Sequence, residues 1–182
     1  MSVENTELAN VETGEIVEFD APEINEIDKF IEDFNSDSGS VVTTLDLNDI
    51  DAQDEAMAAM STAEGVQEKL VALPNKDKDA GIEFTLVDFI CTPSELPVVD
   101  AQGNPTGEVR PALRTVMIAD NGDAYSTHSM PVAKQLRVIK TLRDRAGVQL
   151  SDKPVSVRLV HSLTSNKRNV IALQIVRKPR AK

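Results

Sequence analysis

The sequence predicts a mainly β protein, a small open barrel of about five strands with one helix between strands, preceded by a short helical segment and an acidic arm. Two observations favour this fold class. Short runs rich in Val, Ile and Leu recur from residue 80 onward, whereas a long apolar helical period occurs there once, over residues 131–146. The chain also has five Phe, one Tyr and no Trp, which suits a compact core of roughly 100 residues.

Charge divides the chain into two halves. Residues 1–79 hold 21 Asp and Glu against 4 Lys and Arg, a formal charge of −17. Residues 80–182 hold 9 Asp and Glu against 15 Lys and Arg, a formal charge of +6. The two halves add to the −11 of the whole chain. A basic folded half can neutralise phosphates, and an acidic extension can compete for the same surface. The pattern indicates a module that faces nucleic acid and carries a polyanionic arm.

The acidic arm is residues 1–40, and we predict that it is largely disordered because it buries too little apolar surface to offset its ordering entropy. Within it, a short amphipathic helix is predicted over residues 24–34, where apolar residues recur at helical spacing among carboxylates. These apolar residues are Ile24, Ile27, Phe30, Ile31 and Phe34. Residues 35–40 have the composition of a flexible linker.

A strand-helix extension, residues 41–79, follows the arm. Its β-branched start predicts a strand, and Asn48 or Asp49 is placed to cap a helix that ends near Ala63. A second short helix is predicted over residues 66–73. The extension can pack on the barrel or mediate self-association, and the sequence leaves both open.

The barrel domain, residues 80–182, is predicted to run strand, strand, strand, helix, strand, strand, and to end in a basic tail. This is the order of an oligonucleotide-binding barrel, in which the helix plugs one end between the third and fourth strands. Residues 93–111 hold four prolines and two glycines and are predicted to form a surface loop. Asn121-Gly122 predicts a tight hairpin turn. The predicted strands are 82–92, 113–119, 124–127, 155–161 and 170–176, and the predicted helix is 131–146.

Several short motifs follow one another in a recognisable order. They are Thr43-Thr-Leu-Asp-Leu47 before an Ala-rich helix, Val87-Asp-Phe-Ile90, Gly107-Glu-Val-Arg110, Leu113-Arg-Thr-Val-Met-Ile118, Gly122-Asp-Ala-Tyr-Ser-Thr127, a helix opening near Ser129 and a closing strand pair. This order, over residues 40–176, resembles that of the single-stranded DNA-binding proteins of tailed phages. The resemblance implies a phage protein that coats single-stranded DNA in replication or recombination, in the cytoplasm of the host cell.

Binding to a single strand needs flat side chains on which bases stack, worth roughly 1–3 kcal/mol per base. Tyr125 is the first candidate, because it follows a hairpin turn on a polar strand; an ordinary half-buried tyrosine is the equal alternative. Phe84 and Phe89 lie on opposite faces of one predicted strand. Phe89 is the second candidate for facing a ligand, although packing in the core is its favoured role.

Basic side chains must also follow the phosphate backbone. Arg114 begins a strand, where its guanidinium can hold a phosphate or stack on a base. Arg158 has the opposite strand parity to Val157 and Leu159, so it points away from them. A solvated surface charge is the alternative for each candidate. The predicted phosphate-binding residues are Arg114, Arg137, Lys140, Arg158, Lys167 and Arg168.

The sequence does not favour an enzyme, a metal site or a cofactor. It has neither a Gly-x-Ser-x-Gly elbow nor a phosphate-binding Gly-x-x-x-x-Gly-Lys-Ser/Thr loop. Two His and one Cys are too few for the usual zinc ligand set without carboxylates. The single cysteine, Cys91, suits a reducing cytoplasm, and no apolar run approaches 18 residues, so neither export nor membrane insertion is expected.

The arm has three interpretations. As a partner hook, Ile27, Phe30, Ile31 and Phe34 would dock into a groove on a replication or recombination protein. As a solubilising tail, the arm would bind nothing. As a competitor, it would mimic a strand of DNA on the basic surface. A different class of function also stays open, in which the chain is a non-enzymatic structural or regulatory protein–protein interaction module that uses its basic face and its acidic arm.

Overall fold

Seven strands form one curled sheet that stays open as a half-barrel, with helices packed on both of its surfaces. The computed structural model describes residues 8–9, 16–17, 41–74, 81–163 and 169–176. The helices are α1 (Ile50–Thr62), α2 (Val66–Ala72) and α3 (Met130–Arg145). The strands are β1 (Leu8–Ala9), β2 (Ile16–Val17), β3 (Val42–Thr43), β4 (Glu64–Gly65), β5 (Ile82–Val99), β6 (Pro105–Ala119), β7 (Ala124–Thr127), β8 (Val155–Leu163) and β9 (Asn169–Ile175).

The long strand β5 organises the sheet, whose order is β4-β7-β6-β5-β8-β9. The start of β5 pairs with β8, and the rest pairs with β6 after a register shift between Leu86 and Asp88. Such an irregularity bends a strand and increases its twist, so β5 can belong to both halves of a curled sheet. β3 adds to β5 next to β8, and β4 pairs in parallel with β7. β4 and β9 are the two edges, and the sheet stays open between them.

β1 and β2 lie in the arm and pair with each other in an antiparallel two-stranded sheet. The amphipathic helix predicted over residues 24–34 lies outside the described residues. Among the helices that are described, none combines the length and the apolar character needed to cross a membrane.

The interior of the half-barrel holds the main hydrophobic core. Alternate residues of the strands point inward, as the pleat requires, and side chains of α2 and α3 complete the core. α3 contributes Val132, Ala133, Leu136 and Ile139, and its burial ends there. The apolar period predicted over residues 131–146 also included Leu142 and Ala146, which is wrong, because both side chains are exposed. The largest fully buried side chains include Leu70, Leu86, Phe89, Leu113, Met117, Leu136, Leu150 and Leu159.

The surface loop predicted over residues 93–111 is wrong. β5 and β6 continue past the barrel as a two-stranded ribbon, paired as far as Val99 and Pro105. In an antiparallel ladder only every second pair exchanges N–H···O bonds. Pro93, Pro97 and Pro111 all fall in the same alternate set of pairs. The ladder therefore tolerates these prolines because their missing N–H groups are not needed.

Two parts of the extension pack on the sheet: α1 lies on its outer surface and α2 contributes to the interior core. α1 begins after Asp49, whose side chain accepts a hydrogen bond from the Asp51 N–H. Its Ala59 packs against an outer cluster of β6 and β7 formed by Val116, Ile118 and Ala124. Small alanine side chains let the helix approach the sheet closely, so α1 covers this surface with little bulk.

Candidate nucleic-acid interface

The basic excess of the C-terminal half lies on residues that are not among those described. Residues 81–163 and 169–176 together hold nine Asp and Glu and nine Lys and Arg. The formal +6 of this half therefore falls on residues 164–168 and 177–182, beyond the described residues. In the sequence, these two basic segments come before and after β9, a strand of seven residues. The basic residues in them are Lys167, Arg168, Arg177, Lys178, Arg180 and Lys182.

Tyr125 is a core residue in this structure, which corrects its prediction as a stacking platform. The side chain is 5% exposed, and its ring centroid lies 4.7 Å from that of Phe84. Lys69 of α2 places its Nζ 5.1 Å from the centroid of the Tyr125 ring. The hydroxyl donates to Asp123 Oδ2 at 3.3 Å, and burial is the main cause that raises the tyrosine pKa. The ring therefore anchors α2 and shows no free face to a base.

Phe89 is also a core residue, with none of its side chain exposed. It points into the interior cluster together with Cys91 and Met117. Burial raises the pKa of the neighbouring Cys91 thiol to about 11, which reflects how little water reaches this part of the barrel. Packing in the core, the role that the sequence favoured for Phe89, is confirmed. The prediction that Phe84 and Phe89 lie on opposite faces is wrong, because the register shift between Leu86 and Asp88 turns both side chains toward the same interior cluster.

Arg114 holds α1 on the sheet. Its Nη2 donates to the carbonyl oxygen of Met60 at 2.8 Å, and the side chain is half-buried. Met60 lies in the last turn of α1, where carbonyl groups lack partners within the helix and attract a positive charge. Burial and, secondarily, the nearby Arg114 charge lower the pKa of His128. The guanidinium is thus engaged in a tertiary contact and not displayed on an open strand.

Arg158 points away from the core, as its parity predicted, while Val157 and Leu159 are buried. Its Nη2 lies 2.9 Å from Glu83 Oε2, across the β5–β8 ladder. The two charges cancel at this point of the outer surface. Arg158 would have to exchange Glu83 for a phosphate in order to contact a nucleic acid.

The remaining predicted residues divide between α3 and a segment beyond the described residues. Lys140 pairs with Asp144 one turn later, with 2.6 Å between Nζ and Oδ2. Arg137 lies on α3 and is half-buried. Lys167 and Arg168 belong to the loop between β8 and β9, which lies outside the described residues, as do Ile27, Phe30, Ile31 and Phe34 of the predicted hook.

The outer surface of β6 and β7 is covered by an acidic helix. α1 carries Asp51, Asp54 and Glu55, and Asp88 of β5 lies beneath it. Asp88 is 7% exposed and accepts a hydrogen bond from Thr44 Oγ1 at 2.8 Å. Burial raises the pKa of the Asp88 carboxyl; the Thr44 hydrogen bond acts against this shift, and the Glu55 charge adds to it. This surface presents carboxylates and not cations while α1 is in place.

The pKa of the Asp88 carboxyl is raised in the folded state, so protonation of this carboxyl favours folding. Its stabilising contribution is present at low pH and is lost as the pH rises through the interval between the unfolded and folded pKa values. We therefore expect Asp88→Asn to raise the Tm at pH 7 by about 2–4 °C, with a smaller gain at pH 4. An Asn can still accept the Thr44 hydrogen bond. Thermal unfolding of wild type and variant at several pH values measures the difference in Tm and its pH dependence.

The exposed Asp152→Asn is the matched control, and its Tm should differ little from wild type across the same pH range. An Asp88→Asn protein that is less stable than wild type at pH 7 would contradict the burial argument.

The ribbon is the most exposed part of the sheet, and the sequence reasoning missed it. Arg110 stands opposite Leu96 on one face, while Val109 and Val99 expose more than half of their side chains on the other. The ribbon tip is closed by Asp100, whose carboxylate accepts from the N–H groups of Gln102 and Asn104. The even spacing of Pro93 and Pro97 is compatible with a strand, but only the pairing register shows that their missing N–H groups are not needed.

The fold and the site define the class of protein: a mainly β half-barrel with a two-stranded ribbon and an acidic helix on its outer surface, in a chain whose sequence is basic just before and just after the last strand. In comparisons with known proteins, no protein-family model, no curated protein and no solved structure matches this chain. The geometry of the described residues therefore carries the functional argument.

Proposed function

We propose that the protein is a non-enzymatic single-stranded DNA-binding protein with an open barrel of the oligonucleotide-binding type, acting in phage replication or recombination. One observation carries the proposal. The meander β5–β6–β7 is followed by α3 and then by the β8–β9 hairpin, whose first strand pairs back onto β5. This is the connectivity of oligonucleotide-binding barrels. β4 adds a parallel strand to β7, so the sheet has more strands than the predicted five.

The connectivity also indicates which parts would contact the strand. In such barrels the loops after the first and fourth strands contribute to binding. Here the first of these is the ribbon of β5 and β6, and the other is residues 164–168, which include Lys167 and Arg168. The usual binding face of the second and third strands corresponds to β6 and β7, and α1 covers it. A bound strand would therefore lie between the ribbon and the last hairpin, or would displace α1.

Phosphate contacts would dominate the affinity. Within the described residues the aromatic side chains are Phe84, Phe89 and Tyr125, and all three belong to the interior cluster or pack against it. The six basic residues of the two segments beside β9 could neutralise up to six phosphates. Single-strand binding then weakens by about 0.7 log units per phosphate for each tenfold rise in salt.

Fluorescence anisotropy of labelled oligo-dT with the full chain tests this function. We expect binding to oligo-dT that is tighter than binding to duplex DNA and that weakens steeply with salt. Replacing both loop residues, Lys167→Ala with Arg168→Ala, should lower the slope of log affinity against log salt by about 1.4, because two phosphate contacts are lost.

The control removes the same charge from the folded body, with Lys153→Ala and Arg145→Ala, both of which are exposed. This variant should keep the wild-type slope. Equal slopes for the two double variants would contradict a role for the loop between β8 and β9.

A protein–protein interaction module is the second candidate, because the described body is not basic. Residues 41–74 hold seven Asp and Glu and a single basic residue, Lys69. This acidic surface, together with the arm, suits a basic protein partner, such as a replication or recombination protein. Absence of oligo-dT binding at low salt would reject the DNA-binding proposal and favour this candidate.

A further inference from the structure

The outer side of α3 carries an apolar surface that the fold does not use. Val138 is 51% exposed and Leu142 is 60% exposed. They are four residues apart, so they are neighbours on one side of the helix. The outer side of a surface helix is normally polar. We call this pair of exposed aliphatic side chains the α3 outer patch.

The patch has basic surroundings. Lys134 is one turn before Val138, and Arg145 is almost one turn after Leu142. Over its whole length α3 holds five basic residues and one acidic residue, Asp144, which pairs with Lys140. A binding segment that matches this patch would combine aliphatic or aromatic residues with carboxylates.

The chain itself contains a segment with this chemistry. Residues 24–34 hold four carboxylates and one Lys, and their apolar residues recur at helical spacing. This segment lies outside the described residues, and its sequence pattern is what matches the patch. Its formal charge of −3 is opposite in sign to the +4 of α3.

The chain enters the folded body beside α3. Thr44, just after β3, lines a cavity of about 280 Å³ together with Lys140, Arg143 and Asp144. Six residues, 35–40, separate the acidic segment from Val41, and they span at most about 20 Å when extended. α3 has 16 residues and is about 24 Å long. The acidic segment can therefore reach the α3 outer patch within one molecule.

We propose that the α3 outer patch, centred on Val138 and Leu142, is the docking surface for residues 24–34 of the same chain. Apolar side chains of the segment cover the two aliphatic residues, and its carboxylates lie among the basic residues of α3. This inference is independent of DNA binding, because it concerns the protein without nucleic acid.

Paramagnetic relaxation tests the proposal in the full chain. Asn25→Cys places a nitroxide label on the acidic segment without removing an apolar or a charged residue. The native Cys91 is buried and its thiol pKa is raised to about 11, so it should not react. We expect the methyl signals of Val138 and Leu142 to lose more than half of their intensity. The methyl signals of Met57 and Val71, exposed on α1 and α2, are the internal control and should be retained.

A second variant separates docking from simple proximity. Phe30→Ser with Phe34→Ser in the labelled chain should restore the Val138 and Leu142 signals, since the apolar contact is lost. Equal broadening of the methyl signals of all four residues, or no broadening of any of them, would overturn the proposal. Broadening that appears when labelled chains are mixed with separate isotope-enriched chains would also overturn it, because the segment would then dock on a second copy.

Discussion

Replacing Phe89 with Ala is expected to lower the free energy of unfolding by about 3–5 kcal/mol. The side chain is fully buried in the barrel interior, so its removal loses transfer free energy and leaves a cavity. The backbone of Phe89 meanwhile accepts hydrogen bonds from the Thr43 hydroxyl and the Thr44 N–H, and donates to the Thr44 hydroxyl. These bonds survive the substitution, so chemical denaturation should report the packing loss alone.

Two control variants accompany this measurement. Phe89→Leu keeps most of the volume and should cost less than about 1.5 kcal/mol. Val109→Ala on the exposed ribbon should change stability by less than about 0.5 kcal/mol. A Phe89→Ala protein that is as stable as wild type but binds oligo-dT more weakly would restore the stacking role and contradict the core assignment.

Ending the chain after Val176 is expected to weaken oligo-dT binding at about 0.1 M salt by roughly 600-fold. The deletion removes four of the six basic residues in residues 164–168 and 177–182. Each phosphate contact strengthens binding by about 0.7 log units for every tenfold fall in salt, so between 1 M and 0.1 M salt four lost contacts remove about 2.8 log units of affinity. Stability should not change, because Val176 still donates its N–H to the Ser156 carbonyl at 2.8 Å. Anisotropy at several salt concentrations, with thermal unfolding alongside, measures both effects.

Replacing Arg177, Lys178, Arg180 and Lys182 with Gln is the matched control, since it keeps the length of the tail and removes its charge. This variant should reproduce the affinity loss of the deletion. A deletion that leaves both the affinity and the salt slope unchanged would show that the tail does not contact DNA, and would leave the loop at residues 164–168 as the basic site.

Local chemistry made much of the sheet predictable. The alternation of Val157 and Leu159 with Arg158 follows from the pleat of a strand, and the burial of β8 agrees with it. Asn121-Gly122 predicted the turn between β6 and β7, where Gly122 has a φ of 86°. The helix predicted over residues 131–146 spans Met130–Arg145. Each of these features depends on residues close together in the sequence.

The ribbon and the covered surface were not predictable in the same way. Proline content suggested a loop, but the pairing register decides whether a proline lies in a pair that needs its N–H. Tyr125 has the sequence context of an exposed strand residue, yet α2 is brought over it by the parallel pairing of β4 with β7. These outcomes depend on contacts between segments far apart in the chain, which local patterns do not encode.

The sequence by itself determined the acidic and basic halves, most strand periods and the presence of a helix cap at Asn48 or Asp49, because charge, side-chain period and capping are properties of single residues and near neighbours. Only the tertiary structure decided how the charges are used. Within the described residues, Arg158 forms an ion pair with Glu83, and Arg114 donates a hydrogen bond to the last turn of α1. These two predicted phosphate-binding side chains are therefore engaged in contacts within the fold. Folding brings distant charges to within hydrogen-bonding distance, and the unbalanced positive charge of the C-terminal half is left on the segments beside β9.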